Sequence, residues 1–533
     1  MIFSIYYKEI IMKRRNLLIN VILLTASTMT LGFIGMAFRV YLSNKIGAEG
    51  MGLFQLIMSI NVVCQTLAIS GIRVTMTRLV AEELGKGNEH LVKNIIIKGL
   101  LYTLFFSILT GILLFNLSEF ISITWIQDER AIIPLKILSC SLPFVGISCC
   151  LNGYFYGCRK VIKCISADII ETLVMISIVS LCITSFSTGR LDYTCALISV
   201  GNSIGCICAA FYSYILYIFE KKHFTLCKSN KNKYSFFKIT RVAIPLAFSS
   251  YIQTSLKTVE DILIPKSLRL YGSSGSMSLS IFGMVKGMAM PLLVFPSIFL
   301  ASFSTLIIPE IAEANALNKK NMVNYIISRV IKFTMLIAIF ATGIFIVFSN
   351  ELGVGLYKSE EVGYLLKILA PLIPFMYLDR IVDGSLNALD LQVTTLKYNI
   401  IDMFVRISAI TFLIPKYGIK GFVLVLFIST TFNTSLGVIK ILKVTKLKFD
   451  ILDWILKPAL SVTLSSYATK IILYCLHIEN SVFVSIVLDL FIYFIMLILF
   501  KAIRGKDLQW FADGFKKDVK KGKWESMGVY KQI

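Results

Sequence analysis

The sequence is poor in charged residues and in histidine. Only 16% of the 533 residues are Asp, Glu, Lys or Arg, whereas 56% are hydrophobic and the mean hydropathy is +0.77. This composition excludes an ordinary water-soluble globular protein. The three histidines all fall in polar connections: His90, His223 and His477. A metal centre or a histidine-based active site inside a membrane therefore has few candidate residues, and we expect no metal, no cofactor and no enzymatic activity.

The sequence also lacks a long polar insert and a nucleotide-binding motif. The most polar connection, 221–238, is under about 20 residues, whereas a folded soluble domain needs about 50. No glycine-rich phosphate loop, Walker lysine motif or Ser/His/Asp arrangement occurs. The twelve cysteines lie largely in apolar runs without a repeated metal-ligand spacing, and we interpret them as small apolar residues. These absences disfavour an ATP-driven pump and leave a passive or ion-coupled carrier.

What the sequence has is a succession of apolar runs. A bilayer core is crossed by about 20 apolar residues in a helix. Charged or glycine-rich breaks divide the chain into fourteen expected transmembrane helices: 16–42, 53–80, 95–117, 132–156, 165–185, 193–219, 242–265, 277–309, 322–348, 362–386, 395–415, 421–442, 452–476 and 482–500.

Basic residues are concentrated on one side of these helices. They lie in 13–15, 159–163, 221–238, 440–448 and the C-terminal tail. Because short cytoplasmic loops are enriched in Lys and Arg, this predicts that both termini are cytoplasmic in a multi-pass protein of the cell membrane. The net charge of +23 is then explained by topology and by contact with anionic lipids, without nucleic acid.

The second half of the sequence repeats features of the first at a spacing of 231 residues, the difference between positions 374 and 143. LPFVGISCCLNG (142–153) lies over IPFMYLDRIVDG (373–384), and ADIIETLVMIS (167–177) lies over YNIIDMFVRIS (398–408). Prolines, glycines and carboxylates are unusual in membrane helices and carry the match. The matched pairs are Pro143 with Pro374, Gly153 with Gly384, and Glu171 with Asp402.

This repeat predicts a duplicated, all-α integral membrane fold of about fourteen helices in two pseudosymmetric lobes around a central cavity. Such lobes suit a transporter in which one rocks against the other. We expect an N-terminal lobe at 1–219 (helices one to six), a cytoplasmic linker at 220–241, a C-terminal lobe at 242–449 (helices seven to twelve), two further helices at 450–503 and a basic cytoplasmic tail at 504–533.

Charged side chains inside the apolar runs are the candidate functional residues, because a charge near the bilayer centre costs at least ~2.5 kcal/mol. Our candidates for substrate binding in the cavity are Arg39, Arg73, Lys286, Glu260 and Asp261. Our candidates for ion coupling or lobe contacts are Asp168, Glu171, Asp383, Asp402 and Arg406. Further charges in the runs are Lys257, Asp379 and Arg380. A coupling cation of unknown identity stays possible.

Helical spacing predicts some of the pairs. Asp402 and Arg406 are four residues apart on one helix face, which favours a structural ion pair. Lys257 has the same relation to Asp261, so in this interpretation Lys257 neutralises Asp261. Glu260 then points elsewhere.

Two other features have no local partner. Asp168 and Glu171 share a face without a base at position 175, so their positive charge comes from another helix, from a cation, or from Arg159 and Lys163 in the neighbouring loop. Arg39 lies near the outer end of the first helix. Its side chain either extends to the membrane interface or faces the cavity, and the sequence leaves both alternatives open.

Three segments resemble the stage V sporulation protein B family. They are SGIRVTMTRLVAEELGKGN (70–88), GMAMPLLVFPSIFLASFSTLIIPEIAEA (287–314) and FLIPKYGIKG (412–421). This family lies in a superfamily with lipid II flippases and multidrug antiporters. The resemblance implies fourteen helices in two lobes and the movement of an undecaprenyl-diphosphate-linked peptidoglycan precursor to the outer leaflet, here for spore cortex.

The resemblance also bears on two arginines. Arg39 matches the basic residue that related flippases carry late in the first helix. Arg73 stands where the family's SGIP pattern has proline, a departure that leaves its role in the cavity open although it adds a positive charge. A diphosphate needs basic groups in the cavity, whereas a lipid tail can remain in a lateral groove.

Alternative functions remain at this point. A flippase for another lipid-linked polysaccharide unit and a cation-coupled multidrug antiporter would share the fold, although the many basic candidates disfavour the antiporter. A membrane-embedded acyl- or glycosyltransferase would need an intramembrane histidine or a catalytic loop. The expected partners are a lipid-linked oligosaccharide and membrane lipids, with a monomer as the functional unit.

Overall fold

The computed structural model describes residues 2–186, 191–221, 236–447, 450–476 and 482–503, and within these ranges it is helical without a strand. The basic segment 222–235 and the tail 504–533 lie outside the described residues. The α-helices are α1 (Ile2–Ile69), α2 (Ile72–Gly85), α3 (Glu89–Phe120), α4 (Ile132–Gly157), α5 (Val161–Phe186), α6 (Leu191–Lys221), α7 (Phe236–Leu270), α8 (Gly275–Phe282), α9 (Met290–Val294), α10 (Ser297–Ala316), α11 (Lys320–Val347), α12 (Ser349–Tyr357), α13 (Glu360–Leu369), α14 (Ile373–Ala388), α15 (Gln392–Thr445), α16 (Lys457–Leu476) and α17 (Val482–Leu499).

The helices are divided differently from the fourteen apolar runs. The first run and most of the second form α1, which is bent at Gly47, and the eleventh and twelfth runs form α15, which is bent at Gly418. Both glycines have positive φ, 69° and 56°, a conformation that side chains with a Cβ rarely adopt. In the described residues eight helices are long and apolar enough to cross a membrane, so the count of fourteen is not confirmed.

The length of α15 shows why its bend matters. Its 54 residues would extend for about 80 Å as a straight helix, whereas a hydrocarbon core is about 30 Å thick. The backbone break at Gly418 therefore lets one continuous apolar segment supply two spans.

Two predicted runs are interrupted inside the protein. Run 53–80 breaks at Ser70 and Gly71, which both have positive φ. Run 277–309 is divided into α8, a π-helical turn at Gly283–Ala289, α9 and α10. Pro291 and Pro296 lie at the start of α9 and just before α10, where a missing N–H interrupts the helical hydrogen bonds. Hydropathy locates apolar segments but does not locate these breaks.

The carbonyls near this interruption have side-chain partners. The Tyr357 hydroxyl donates to the carbonyl of Met288 at 3.2 Å, and the Tyr377 hydroxyl donates to that of Leu293 at 2.8 Å. Both tyrosines are buried. Because an unpaired carbonyl inside the protein is costly, these bonds stabilise the irregular backbone that carries Lys286.

The helices pack as two groups joined through α1. In the first group α4 packs against α2, α3 and α6, and α5 packs against α6; in the second, α15 packs against α7 and α14, and α14 against α10 and α11. Helix α1 packs against both groups, including α7, α8 and the π-helical turn. The α16–α17 hairpin contacts the second group through α11. We call these groups the N-terminal and C-terminal lobes and count α1 with the N-terminal one; their residue bounds stay a prediction.

Packing at the matched glycines agrees with the internal repeat. A Cβ on Gly153 in α4 would lie 2.7 Å from the Arg73 carbonyl oxygen in α2, and one on Gly384 in α14 would lie 3.0 Å from Ile308 in α10. Adding the repeat spacing of 231 to position 73 in α2 gives position 304, which lies in α10. Both glycines therefore lie where corresponding helices meet. The prolines differ, because Pro143 lies inside α4 whereas Pro374 begins α14 after a 3-10 turn.

Candidate functional site

A network of charged side chains lies in the C-terminal lobe, and Lys286 is its first member. The π-helical turn places the Lys286 Nζ 2.8 Å from Glu260 Oε1 and 3.2 Å from Asp261 Oδ1, both on α7. The two carboxylates are only 4% and 3% exposed, whereas the lysine side chain is 14% exposed. A buried carboxylate is costly unless it is paired, so Lys286 compensates both acids.

Arg406 on α15 continues this network. Its Nη1 lies 3.2 Å from Glu260 Oε2, and its Nη2 lies 2.9 Å from Asp402 Oδ2. Its Nε donates to the Ser429 hydroxyl at 2.6 Å, and that hydroxyl donates to Asp402 Oδ1 at 2.6 Å. The predicted Asp402–Arg406 pair is therefore confirmed as a contact, but it belongs to a larger set that reaches α7.

The prediction for Lys257 is wrong. Lys257 is exposed and takes part in no ion pair in the described part of the chain, although it is four residues from Asp261. Glu260 does not point away from its neighbour either, since both acids reach Lys286. Lys286 is the stronger partner because it is buried within the same group of helices, where a lower dielectric strengthens the attraction.

The network is attached to the N-terminal lobe. Ser59 in α1 donates from its hydroxyl to Asp261 Oδ2 at 2.6 Å, and Thr258 in α7 donates to the Ser59 carbonyl at 3.0 Å. Farther along α7, Arg269 donates to the Gln127 side chain at 2.7 Å. The charged network thus lies where the two lobes meet.

The N-terminal lobe has a sparser set of charges. The Arg73 guanidinium lies 5.2 Å from the Tyr156 ring and interacts electrostatically with Asp168 on α5. Glu171 accepts a weak hydrogen bond from the Cys206 thiol at 3.4 Å. Neither Asp168 nor Glu171 forms an ion pair within the described ranges. Among the basic residues of the described helices, Arg73 on α2 is the one whose charge acts on Asp168, and a coupling cation stays a prediction.

Lys163 has a different role from the one considered in the sequence. Lys160 lies 2.7 Å from Glu220 Oε1 at the end of α6, and Lys163 contacts the same oxygen. Tyr154 donates to the other oxygen of Glu220 at 2.9 Å. Lys163 is therefore engaged in holding the α4–α5 connection against α6 and does not neutralise Asp168 or Glu171.

Arg39 lies on the part of α1 that faces the C-terminal lobe. It lies close to Tyr357 at the end of α12, and it forms no ion pair among the described residues. One turn farther along, Asn44 donates to the carbonyl of Leu356 at 2.8 Å. Arg39 is thus on the side of α1 near Tyr357, whose hydroxyl bonds the carbonyl of Met288 in the irregular segment.

The second acidic group of the C-terminal lobe is bridged by amides. Asn433 donates to Asp379 Oδ1 at 3.1 Å and to the Asn399 side-chain oxygen at 3.1 Å, and Asn399 donates to Asp383 at 3.5 Å. Arg380 donates instead to the Ser297 hydroxyl at 3.0 Å. Asp383 is therefore not part of the Lys286 network.

The uncharged members of these groups were not predicted from the sequence; they are Ser59, Ser429, Asn399 and Asn433. Ser429 and Asn433 are four residues apart on one face of α15, which is the available signal, but serine is common in membrane helices and gives little information alone. No group of three or more His, Cys, Asp or Glu suited to a metal ion occurs in the searched, described residues.

The helical fold and its buried charges define a multi-pass integral membrane protein of a transporter type. A family model described as "Polysaccharide biosynthesis protein" matches residues 17–315, more than half of the chain. The chain therefore belongs to the polysaccharide biosynthesis protein family. A second model, "Lipid II flippase MurJ", matches residues 288–496.

Curated relatives support the resemblance found in the sequence. Stage V sporulation protein B of Bacillus subtilis is 26% identical over 510 residues, which cover 93% of this chain and 98% of that protein. Sporulation protein YkvU of the same organism is 21% identical over 67% of this chain and 79% of that protein. The similarity to the stage V sporulation protein B family is thus confirmed.

Solved structures share the fold. The lipid II flippase MurJ in an inward closed conformation has a TM-score of 0.66 and 17% identity, covering 90% of this chain and 99% of that one. An inward-facing multidrug resistance MATE family transporter has a TM-score of 0.61 and 12% identity, covering 79% and 96%. These likenesses establish the two-lobed helical architecture.

Proposed function

We propose that this protein is a flippase that moves an undecaprenyl-diphosphate-linked peptidoglycan precursor, used for spore cortex, from the cytoplasmic to the outer leaflet by alternating access. The family and the full-length similarity to a sporulation protein support this substrate class. The structural observation that carries it is the placement of Lys286 and Arg406, two partly exposed bases, in a network that reaches the other lobe through Asp261 and Ser59.

In this mechanism basic side chains bind the anionic diphosphate, and the lipid tail stays outside the lobes. Lys286, Arg39 and Arg73 are the proposed anion ligands, while Asp261 with Ser59 forms a contact between the lobes. An inside-negative membrane potential would assist the outward movement of an uncompensated anion by ~2.3 kcal/mol per charge per 100 mV. Both termini are cytoplasmic, the monomer suffices, and no bond is made or broken.

Deletion of the gene in its spore-forming host tests this proposal. We expect sporulating cells to accumulate the lipid-linked precursor and to form spores with little cortex peptidoglycan. The measurement is the amount of precursor in membrane extracts together with the muropeptide content of the spores. A normal cortex without precursor accumulation would contradict the proposal and indicate a different lipid-linked polysaccharide.

A cation-coupled multidrug antiporter is the second candidate. The observation that favours it is the group of Asp379 and Asp383, which has amide partners and no ion pair within the described residues. Cation exchange commonly uses such intramembrane carboxylates. Efflux of a cationic dye that is abolished by Asp379→Asn would support this candidate, whereas no dye efflux by the wild-type protein would exclude it.

A further inference from the structure

Arg406 is bonded to the protein through every nitrogen of its guanidinium. Its Nε donates to the Ser429 hydroxyl at 2.6 Å, its Nη1 to Glu260 Oε2 at 3.2 Å, and its Nη2 to Asp402 Oδ2 at 2.9 Å. These three partners are buried, each with 4% exposure or less. Arg406 is therefore a fixed cation that is surrounded by oxygen atoms of the chain itself.

The partners of Arg406 come from three helical segments. Glu260 lies on α7. Asp402 and Ser429 lie on α15, before and after the bend at Gly418. Two carboxylates and a hydroxyl supply only oxygen ligands, which are the ligands that a hard metal cation prefers. Because buried carboxylates without a positive partner are costly, a cationic group between these segments is required.

The corresponding place in the N-terminal lobe has no such base. The repeat places Glu171 over Asp402 and Met175 over Arg406. Among the described residues the hydrogen-bond donor to Glu171 is the Cys206 thiol. The duplicated acid therefore has a base one helical turn away in the C-terminal lobe alone. In that lobe the chain itself supplies the compensating charge.

We infer that Arg406 is a built-in cation, whose guanidinium takes the place that a coupling metal cation would otherwise fill between Glu260, Asp402 and Ser429. An arginine attached to α15 cannot be taken up on one side of the membrane and released on the other. This network therefore does not couple transport to a metal-cation gradient. The inference goes beyond the proposed function, does not depend on the substrate, and agrees with movement driven by the membrane potential.

Removal of the guanidinium should turn the same oxygen atoms into a sodium site. The measurement is the unfolding temperature of the full-length protein in nanodiscs, in sodium chloride and in N-methylglucamine chloride of equal ionic strength. The bulky organic cation does not fit the space that the guanidinium leaves. We expect Na⁺ to raise the unfolding temperature of Arg406→Ala by about 2 °C or more above any rise in the wild-type protein. The rise should saturate with Na⁺ concentration, since one site is filled.

Matched variants separate this site from other effects of sodium. Arg406→Lys keeps a positive charge and should respond to Na⁺ as the wild-type protein does. The double variant Asp402→Asn/Arg406→Ala removes an acid together with the base and should lose the additional response. Lys257→Ala removes an exposed positive charge from α7 outside the network and should also behave as wild type. Arg406→Gln is a second neutral variant for the case that Arg406→Ala does not fold, and it should gain the sodium response.

Two results would overturn the inference. One is an equal response to Na⁺ in the wild-type protein, Arg406→Ala and Arg406→Gln. The other is a wild-type response that the single variant Asp402→Asn abolishes, because Asp402 would then bind a metal cation while Arg406 is present.

The unfolding measurement uses no lipid-linked precursor, so its outcome is separate from that of the proposed function. If the wild-type protein moves the precursor but the neutral Arg406 variants gain no response to Na⁺, the built-in cation is wrong and the proposed function stands. If these variants gain the response but the wild-type protein does not move the precursor, the proposed function is contradicted and the built-in cation stands.

Discussion

The two lobes carry corresponding acidic residues in different electrostatic surroundings. In the C-terminal lobe Asp402 has Arg406 one turn away at 2.9 Å, and Ser429 completes its hydrogen bonds. In the N-terminal lobe the repeat places Glu171 at the position of Asp402 and Met175 at the position of Arg406. Among the described residues, a cysteine thiol is the one hydrogen-bond donor to Glu171. A duplicated backbone has thus kept the acid in both copies while the base is present in one.

This difference indicates which lobe holds its charged side chains in fixed positions before a ligand binds. The C-terminal network is held by contacts among three helices, so its bases have fixed positions before any ligand arrives. Arg73 of the N-terminal lobe is exposed and is held chiefly by the Tyr156 ring. We therefore expect substitutions in the C-terminal network to have the larger effects on both stability and transport.

The largest effect is expected from Lys286→Ala. This change leaves Glu260 and Asp261 buried with one fewer base, and breaking a buried ion pair on one side costs about 3–5 kcal/mol. We expect a lower unfolding temperature and a loss of precursor movement of at least about tenfold. Thermal unfolding in detergent and a vesicle flipping assay measure the two effects. Lys257→Ala is the matched control, and an equal loss in that variant would show that helix α7 responds to any loss of charge.

Arg406→Met makes the C-terminal lobe resemble the N-terminal one. It leaves Asp402 without its base and removes one of two bases from Glu260, so we expect destabilisation of about 3 kcal/mol. The reciprocal change, Met175→Arg, provides Glu171 with a partner four residues away and should alter stability by less than about 0.5 kcal/mol. Chemical unfolding of both variants checks this order. Similar effects of the two changes would contradict the view that one lobe is organised in advance.

Alanine substitutions at the two matched glycines should differ in their loss of stability, but by less than the changes above. A Cβ at Gly153 would lie 2.7 Å from a backbone oxygen and 2.8 Å from the Met76 Cβ, whereas one at Gly384 would meet only the end of the Ile308 side chain. Gly153→Ala should therefore destabilise by about 1–3 kcal/mol through overpacking, and Gly384→Ala by less than about 1 kcal/mol. Gly355→Ala, which has open space around it, controls for the helix preference of alanine. Equal unfolding temperatures for all three would refute the contrast.

The smallest effect on stability is expected from Arg73→Met. Because Arg73 is exposed and forms no ion pair among the described residues, its removal should cost less than about 1 kcal/mol. Precursor movement should nevertheless fall, since the variant removes a positive charge from the proposed path. A stability loss as large as that of Arg406→Met would show that Arg73 is a structural residue.

Local sequence relations predicted the parts of the site that lie on one helix. The spacing of Asp402 and Arg406 was sufficient because four residues complete about one helical turn. The pairing of Lys286 with Glu260 was missed because it joins an irregular turn to another helix, 26 residues away in sequence. The contact predicted for Lys257 was wrong for the same reason, since helical spacing permits a contact without indicating whether a more buried base competes for the acid.

The fold, like the site, was predictable where it depends on local sequence and not where it depends on contacts between distant residues. Apolar runs indicated a helical membrane protein, and the repeat indicated two lobes. They did not indicate that α1 and α15 each continue through a bend, because that depends on the backbone dihedral angles of Gly47 and Gly418. Ser59 shows what the sequence could not predict about the site, since this serine becomes a partner of Asp261 through the packing of α1 against α7.

The most direct test of the central claim is the transfer of a labelled undecaprenyl-diphosphate-linked precursor across vesicles that contain the purified protein. We predict rapid transfer by the wild-type protein and by Lys257→Ala, and strongly reduced transfer by Arg39→Ala and by Lys286→Ala. Transfer at the rate of protein-free vesicles in the wild-type sample would contradict the flippase function. Unchanged transfer in both Arg39→Ala and Lys286→Ala would contradict their assignment as anion ligands.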